Sequence, residues 1–293
     1  MKRSFWLLLL ALSFALLAPG LAQPFPRTLT DDLGRSITLK AAPQRIVALL
    51  PSVTETVCAL NACGRLVGVD DYSDFPEQVK RLPKVGGLYN PNLEAILALK
   101  PDLVIVSVYG KLHEGLERAG VASFAVKPET YDDIFRTTRL LGRVLGLEAQ
   151  AERLVAQIQR EVYAVESRAA KAAQRPTVYY EIDPTPYSVG PESFIGVLIT
   201  KARGQNIVPR ELGLFPQISP ELVVQKNPAV IVLTHPGAAD LPKRPGWAGV
   251  AAIRNQRICT FTGQQDNLLS RPGPRVAQGL QLLVGCFHPE LRR

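Results

Sequence analysis

Apolar and polar positions alternate across residues 28–40 around Asp32-Leu33-Gly34-Arg35, the pattern of an N-terminal hairpin. Short apolar runs then recur at residues 45–50, 66–69, 103–106, 123–126, 177–182, 230–233 and 257–261. Continuous runs of this kind predict strands covered on both faces, as in parallel sheets. The stretches between them carry helical spacing, at about residues 53–62, 111–119, 192–202 and 271–287. Residues 131–173 are also helical in pattern, with one interruption around 142–146. The second part, residues 148–173, lacks Gly and Pro and would reach ~40 Å at ~1.5 Å per residue. That is longer than packing within one lobe requires, so a rigid strut between two lobes is predicted.

One segment occurs twice. Asn92-Leu93-Glu94 through Lys100-Pro101-Asp102-Leu103-Val104 is echoed by Ser219-Pro220-Glu221 through Asn227-Pro228-Ala229-Val230-Ile231. The same 127 residues separate Glu94 from Glu221 and Pro101 from Pro228. Asn92 and Ser219 suit helix N-caps, and Pro220 suits the first helical position. Each proline ends a short amphipathic helix, and the apolar run after it reads as a buried strand. A second echo links residues 45–52 to 177–184, each a strand closed at a proline. The expected fold is therefore α/β: two small lobes with parallel sheets joined by one long helix. The boundaries fall at residues 23–146 for the first lobe, 147–174 for the connecting helix and 175–293 for the second lobe.

The ends and the cysteines place this chain. Lys2 and Arg3 precede an apolar run over residues 5–17 and then Pro19-Gly20-Leu21-Ala22. This is the plan of a secretory signal peptide over residues 1–22. No cysteine follows it that could carry a lipid, so soluble export to a periplasm is expected. Four cysteines fit an oxidising compartment. We pair Cys58 with Cys63 and Cys259 with Cys286, one of three connectivities open to four cysteines, with buried free thiols as the alternative. The net charge is +8, but Lys and Arg are spread rather than clustered, so no nucleic-acid partner is expected. His113, His235 and His288 are scattered and no Cys-x-x-Cys occurs, so no metal site is expected.

Ligands of open parallel sheets lie beyond the carboxyl ends of the strands. Those loops are residues 50–54, 107–111, 182–192, 235–237 and 263–274. His235 could serve as a base with Asp183 or Glu181 opposite. No nucleophile elbow, phosphate loop or paired carboxylate motif accompanies it, so capture is favoured over catalysis.

Gly68-Val69-Asp70-Asp71-Tyr72-Ser73-Asp74-Phe75-Pro76, followed by Asn92-Leu93-Glu94 and Lys100-Pro101-Asp102, resembles the periplasmic cobalamin-binding proteins of ABC importers. Thr30-Asp31-Asp32-Leu33-Gly34-Arg35 is similar to the hairpin of the wider cobalamin, haem and iron-siderophore group. The resemblance implies a ligand held between two lobes with limited hinge motion and no resident cofactor, cobalamin being cargo. It also implies a monomer that docks on a dimeric ABC permease through Glu94 and Glu221, one on each lobe. Tyr72, Tyr89, Tyr109 and Phe215 fall on or near aromatic ligand positions of that group. Arg271 falls on a cleft arginine, and Asn267 stands near an aspartate of the pattern. Pro51 and Asp183, at the ends of the two matching strands, complete the ligand-binding set. The tryptophans of the pattern are absent, since Trp6 and Trp247 lie elsewhere. Haem or a ferric siderophore is the alternative cargo, with a tyrosine as the axial ligand for haem.

Overall fold

The computed structural model describes residues 24–291; the predicted signal peptide lies outside the described residues. The chain opens with the antiparallel hairpin β1 (Arg27–Thr30) and β2 (Ser36–Leu39). There follow β3 (Ile46–Ala48), α1 (Pro51–Ala59), β4 (Leu66–Val69), α2 (Leu93–Ala98), β5 (Leu103–Ser107), α3 (Leu112–Arg118) and β6 (Ser123–Val126). Helices α4 (Tyr131–Leu145) and α5 (Glu148–Ala169) lead into the second half. That half contains β7 (Thr177–Asp183), β8 (Tyr187–Ser188), α6 (Phe194–Lys201), β9 (Gln205–Asn206), α7 (Pro220–Lys226) and β10 (Val230–Leu233). It ends with α8 (Ala251–Arg254), β11 (Ile258–Thr260), α9 (Gln264–Ser270) and α10 (Val276–Phe287).

The two halves repeat one topology. In the first, the parallel order is β4-β3-β5-β6. In the second, β9 and β10 flank β7, and β11 follows β10, all parallel, with β8 added antiparallel at the end of β7. The duplicated segment forms matching units. Asn92 Oδ1 caps α2 through the Ala95 amide at 3.0 Å, and Ser219 Oγ caps α7 through the Leu222 amide at 3.2 Å. Both helices unwind through a left-handed residue just before the proline, Lys100 at φ 48° and Asn227 at φ 44°. There the proline ring excludes a further helical turn.

Side-chain alternation along the strands divides the interior. Val47, Val104 and Val106 face an outer cluster in the first lobe, and Tyr179, Ile231 and Leu233 face another with Trp247 in the second. The opposite faces (Ile46, Ala48, Ile105 and Phe124; Val178, Tyr180, Val230 and Val232) drain into one continuous core shared by both lobes. Helix α5 fills it with Ala151, Leu154, Val155, Ile158, Val162, Val165 and Ala169, a stripe at helical spacing. It packs on α4 of one lobe and α10 of the other. A shared core opposes free swinging of the lobes, because its close packing must be broken for them to separate.

Three sequence expectations are corrected here. The break before α5 is confined to Gly146, at φ 70°, and Leu147, while Gly142 lies inside α4. A Cβ at Gly142 would meet Ala151 Cβ at 2.4 Å, so glycine there permits close approach of α4 and α5. The strut ends at Ala169 rather than 173. Residues 271–275, expected as the start of the last helix, form a non-helical linker between α9 and α10 that closes in a turn, the Val276 amide donating to the Gly273 carbonyl. Pro272 and Pro274 account for it, since each forbids helix in the residue before it.

The cysteines pair as Cys58–Cys63 and Cys259–Cys286. By loop-closure entropy the second bridge, with a sequence separation of 27, contributes about 3.5 kcal/mol against about 2 kcal/mol for the short one. Cys286→Ala together with Cys259→Ala should therefore lower the denaturant midpoint more than removal of the first bridge.

The hairpin is anchored by Asp31, which accepts from the Leu33, Arg35 and Ala125 amides and from the Arg35 guanidinium. Burial alone would raise its pKa, but the hydrogen bonds from Arg35 and Ala125 outweigh burial and hold it below the usual value of 3.8. A depressed carboxylate contributes stability that is present above its unfolded pKa and lost as pH falls through its folded one. Asp31→Asn should thus be destabilised relative to the parent protein at neutral pH. The difference in urea midpoint should shrink as the pH drops below 3.8.

Candidate functional site

Between the lobes, at the carboxyl ends of β3, β5 and β6, lies a cavity of ≈ 550 Å³. The first lobe contributes Tyr72, Tyr89 and Tyr109, and the second Phe194 and Phe215. Pro51 begins α1 at the cavity wall, with Asn267 and Arg271 opposite. Seven of the eight predicted ligand residues are therefore brought together. Asp183 is not among the cavity residues. It ends β7 at the turn into β8, where its Oδ1 accepts from the Thr185 amide.

The tyrosines owe their placement to backbone braces. Buried Asp70 accepts from the Tyr72 amide at 2.9 Å and from Ser73 Oγ at 2.5 Å, which folds residues 70–73 into a tight turn after β4. Burial pushes the Asp70 carboxyl above its usual pKa, with the Ser73 hydrogen bond opposing it. Lys84 Nζ donates to the Ser73 carbonyl and clamps the same turn. A Cβ at Gly87 would come within 3.3 Å of the Tyr72 ring, so glycine lets that ring lie close to the backbone. Tyr72 is 70% exposed and Tyr89 86% exposed. Both rings stand at the cavity with most of their surface open to contact by another molecule.

The cations at the cavity are matched by anions. Lys127 Nζ lies 3.1 Å from Glu129 Oε2. Burial, and next the Asp133 carboxylate, push the Glu129 pKa upward. Arg271 is 9% exposed. Its Nη1 donates to Glu55 Oε1 at 2.8 Å and Asp74 Oδ1 at 2.7 Å, and its Nη2 donates to the Tyr72 carbonyl at 2.9 Å. Arg275 Nε meets the other Glu55 oxygen at 2.8 Å. Of the five N–H donors of a guanidinium, Arg271 commits three to the first lobe and keeps two.

Sequence reasoning missed Lys127, Glu129 and Phe194. The first two follow β6, whose carboxyl end the strand-end rule would have flagged. Phe194 opens α6 behind the Ser193 cap, and its amide donates to the Glu129 carbonyl across the lobes at 3.0 Å.

His235 is bound into a separate network. Its Nε2 lies 3.0 Å from Glu181 Oε1, while Glu181 also accepts from Tyr179 Oη and both Arg244 terminal nitrogens. A fully buried carboxylate committed to four donors is a structural anchor, and none of these residues lines the cavity. Glu94 and Glu221 behave differently. Both are exposed in the first turn of equivalent helices and neither has an ion-pair or hydrogen-bond partner among the described residues.

A two-lobed cleft of this build has known counterparts. Residues 46–264 match the periplasmic binding protein family. The chain belongs to that family. It is 28% identical over 91% of its length to an ABC transporter substrate-binding lipoprotein of Bacillus subtilis, covering 87% of the latter. It is 30% identical over 90% of its length to a cobalamin-binding protein of Halobacterium salinarum, covering 74% of it. Among solved structures, a periplasmic haem-binding protein from Roseiflexus in its apo form superposes with TM-score 0.74 at 29% identity. That match covers 85% of this chain and 99% of the other. Proteins of this family bind solutes, and among the described residues no helix is long and apolar enough to cross a membrane.

Proposed function

We propose that this protein is the exported solute-binding component of an ABC importer and that its cargo is a corrinoid. The observation that carries the cargo is a cleft walled by aromatic rings whose charges are already balanced. A corrinoid is a broad disc edged mainly by neutral amides, so it needs ring faces and a few polar groups rather than a free cation. Haem carries two carboxylates and many ferric chelates are anionic; both would gain from an unpaired arginine or lysine. Arg271 and Lys127 are instead neutralised by Glu55, Asp74 and Glu129. The cavity is open to solvent, so a disc can bury one face and leave its substituents outside.

On this reading the chain is a periplasmic monomer that carries its ligand unchanged. Residues 23–146 and 175–293 form its capturing lobes, and the connection at 147–174 contains α5. Glu94 and Glu221 meet cationic groups on the two permease subunits.

Calorimetric titration of the mature protein with cyanocobalamin, haemin and a ferric hydroxamate tests the cargo. Saturable one-to-one binding of cyanocobalamin alone, at submicromolar Kd, is expected. A Soret shift with haemin and silence with cyanocobalamin would replace the corrinoid by haem, for which the exposed phenols of Tyr72, Tyr89 and Tyr109 offer an axial ligand. Tyr72→Ala and Tyr89→Ala should each raise Kd roughly tenfold, or about 1.4 kcal/mol, through lost ring contact. Asp183→Ala, outside the cavity, should leave Kd unchanged.

A further inference from the structure

The cavity lies between two cross-lobe ties of different character. On one side the tie is backbone: the Phe194 amide donates to the Glu129 carbonyl, and Thr130 and Ser193 form an isolated antiparallel bridge. On the other side the tie is made of side chains. Glu55, Tyr72 and Asp74 of the first lobe meet Asn267, Arg271 and Arg275 of the second. The backbone tie and the shared core around α5 rest on no single polar side chain, so they behave as the fixed axis. The side-chain tie can part and re-form.

Within the side-chain tie the carboxylates are unlike. Glu55 is buried beneath two guanidinium groups, with side-chain exposures of 2% for Glu55, 8% for Arg271 and 14% for Arg275. Asp74 is 41% exposed in its side chain, yet it spans the lobes twice, through Arg271 Nη1 at 2.7 Å and Asn267 Nδ2 at 3.1 Å. Its neighbours fix it from the first-lobe side. Phe75 lies under the Arg275 guanidinium at 4.0 Å, and the Tyr72 carbonyl accepts from Arg271. Thus the segment 72–75, which carries a cavity tyrosine, also carries much of the first-lobe side of this tie.

We propose that Asp74 is a latch that holds the two lobes at a set separation through Arg271 and Asn267, with Glu55 as its buried anchor. The latch rests on the reading of the inter-lobe cavity as the ligand cleft. Because Asn267 and Arg271 line that cavity while bonded to Asp74, the latch ties the width of the cleft to the orientation of its polar wall. Asp74 acts through these two residues as a positioning residue. A ligand that binds better when the lobes are near is retained by the latch, and its loss shifts the population toward a wider cleft. Ring contacts supply affinity, while the latch governs retention.

The test measures lobe separation with no ligand present. Spin labels on genetically encoded keto amino acids at Glu117 and Glu211, one exposed site per lobe, avoid the native cysteines. The parent protein should give one narrow distance distribution. Asp74→Ala should broaden it and shift it by several ångströms, with thermal unfolding still cooperative, and Asp74→Glu should restore it. In stopped flow with cyanocobalamin, Asp74→Ala should speed release roughly tenfold while association changes little, and Asp74→Glu should recover most of the loss. An unchanged distance distribution in Asp74→Ala overturns the latch whatever the cargo. A broadened distribution in a protein that ignores cyanocobalamin keeps the latch and defeats the corrinoid reading instead.

Discussion

Replacing Glu94 and Glu221 together by alanine is expected to abolish binding-protein-stimulated uptake while leaving ligand affinity as it was. Neither residue lines the cavity, and the described structure gives neither a partner. Each tops a short helix where a carboxylate gains a few tenths of a kcal/mol from the helix N-terminus, so alanine should hardly alter stability. On the proposed docking the pair supplies symmetry: two like charges on matching helices of two lobes, suited to a permease built from two like subunits. Charges at a rim set encounter rate and register more than affinity. Each single variant should therefore slow uptake, and the double variant should stop it. Uptake into proteoliposomes holding the permease and its ATPase, beside a Kd measured on the free protein, reads both quantities. Loss of ligand binding in the double variant would remove the docking assignment.

The duplicated architecture was legible in the sequence because it leaves local marks. Caps at Asn92 and Ser219, prolines at 101 and 228 and buried runs after them each follow from short-range chemistry, and all reappear in the structure. The strut was legible from the absence of Gly and Pro across residues 148–173 and from the length that this allows. Helix ends were less so, since α5 stops at Ala169 while the helical composition runs on. The start of the last helix was set too early, because helical spacing around Arg271 concealed what Pro272 and Pro274 enforce.

The site divides in the same way. The rings were marked through the resemblance to the cobalamin-binding proteins, which puts Tyr72, Tyr89, Tyr109 and Phe215 on or near aromatic ligand positions. The partners of Arg271 could not be marked. Glu55 and Asp74 stand 216 and 197 residues from Arg271, across the lobes, and no local rule joins them to it. One signal was present: Glu55 stands in Val53-Thr54-Glu55-Thr56-Val57, a charge among buried residues of α1 that requires a buried cation. Asp183 misled for the converse reason. It ends the strand that matches β3, but β8 folds back beside it, and the turn between them holds it away from the cavity.

Glu55→Ala is expected to be the most destabilising single change in the cleft. Arg271 would keep Asp74 and the Tyr72 carbonyl, but Arg275 would lose its only carboxylate among the described residues while remaining largely buried against Phe75. Removing one partner of a buried ion pair costs roughly 3–5 kcal/mol, because the remaining charge stays dehydrated without compensation. For a chain of this size that corresponds to a fall in Tm of roughly 10 °C. The cost belongs to the orphaned charge rather than to the pair, and a second variant separates the two. Glu55→Leu combined with Arg275→Met removes both charges and should recover most of the lost Tm, since apolar replacement of a buried pair is often neutral. Lobe separation should not recover with it, because Arg271 would lack its buried anchor. If the apolar double variant regains both Tm and the narrow distance distribution, the ion cluster is a packing element and the geometry of the cleft is set by the shared core alone.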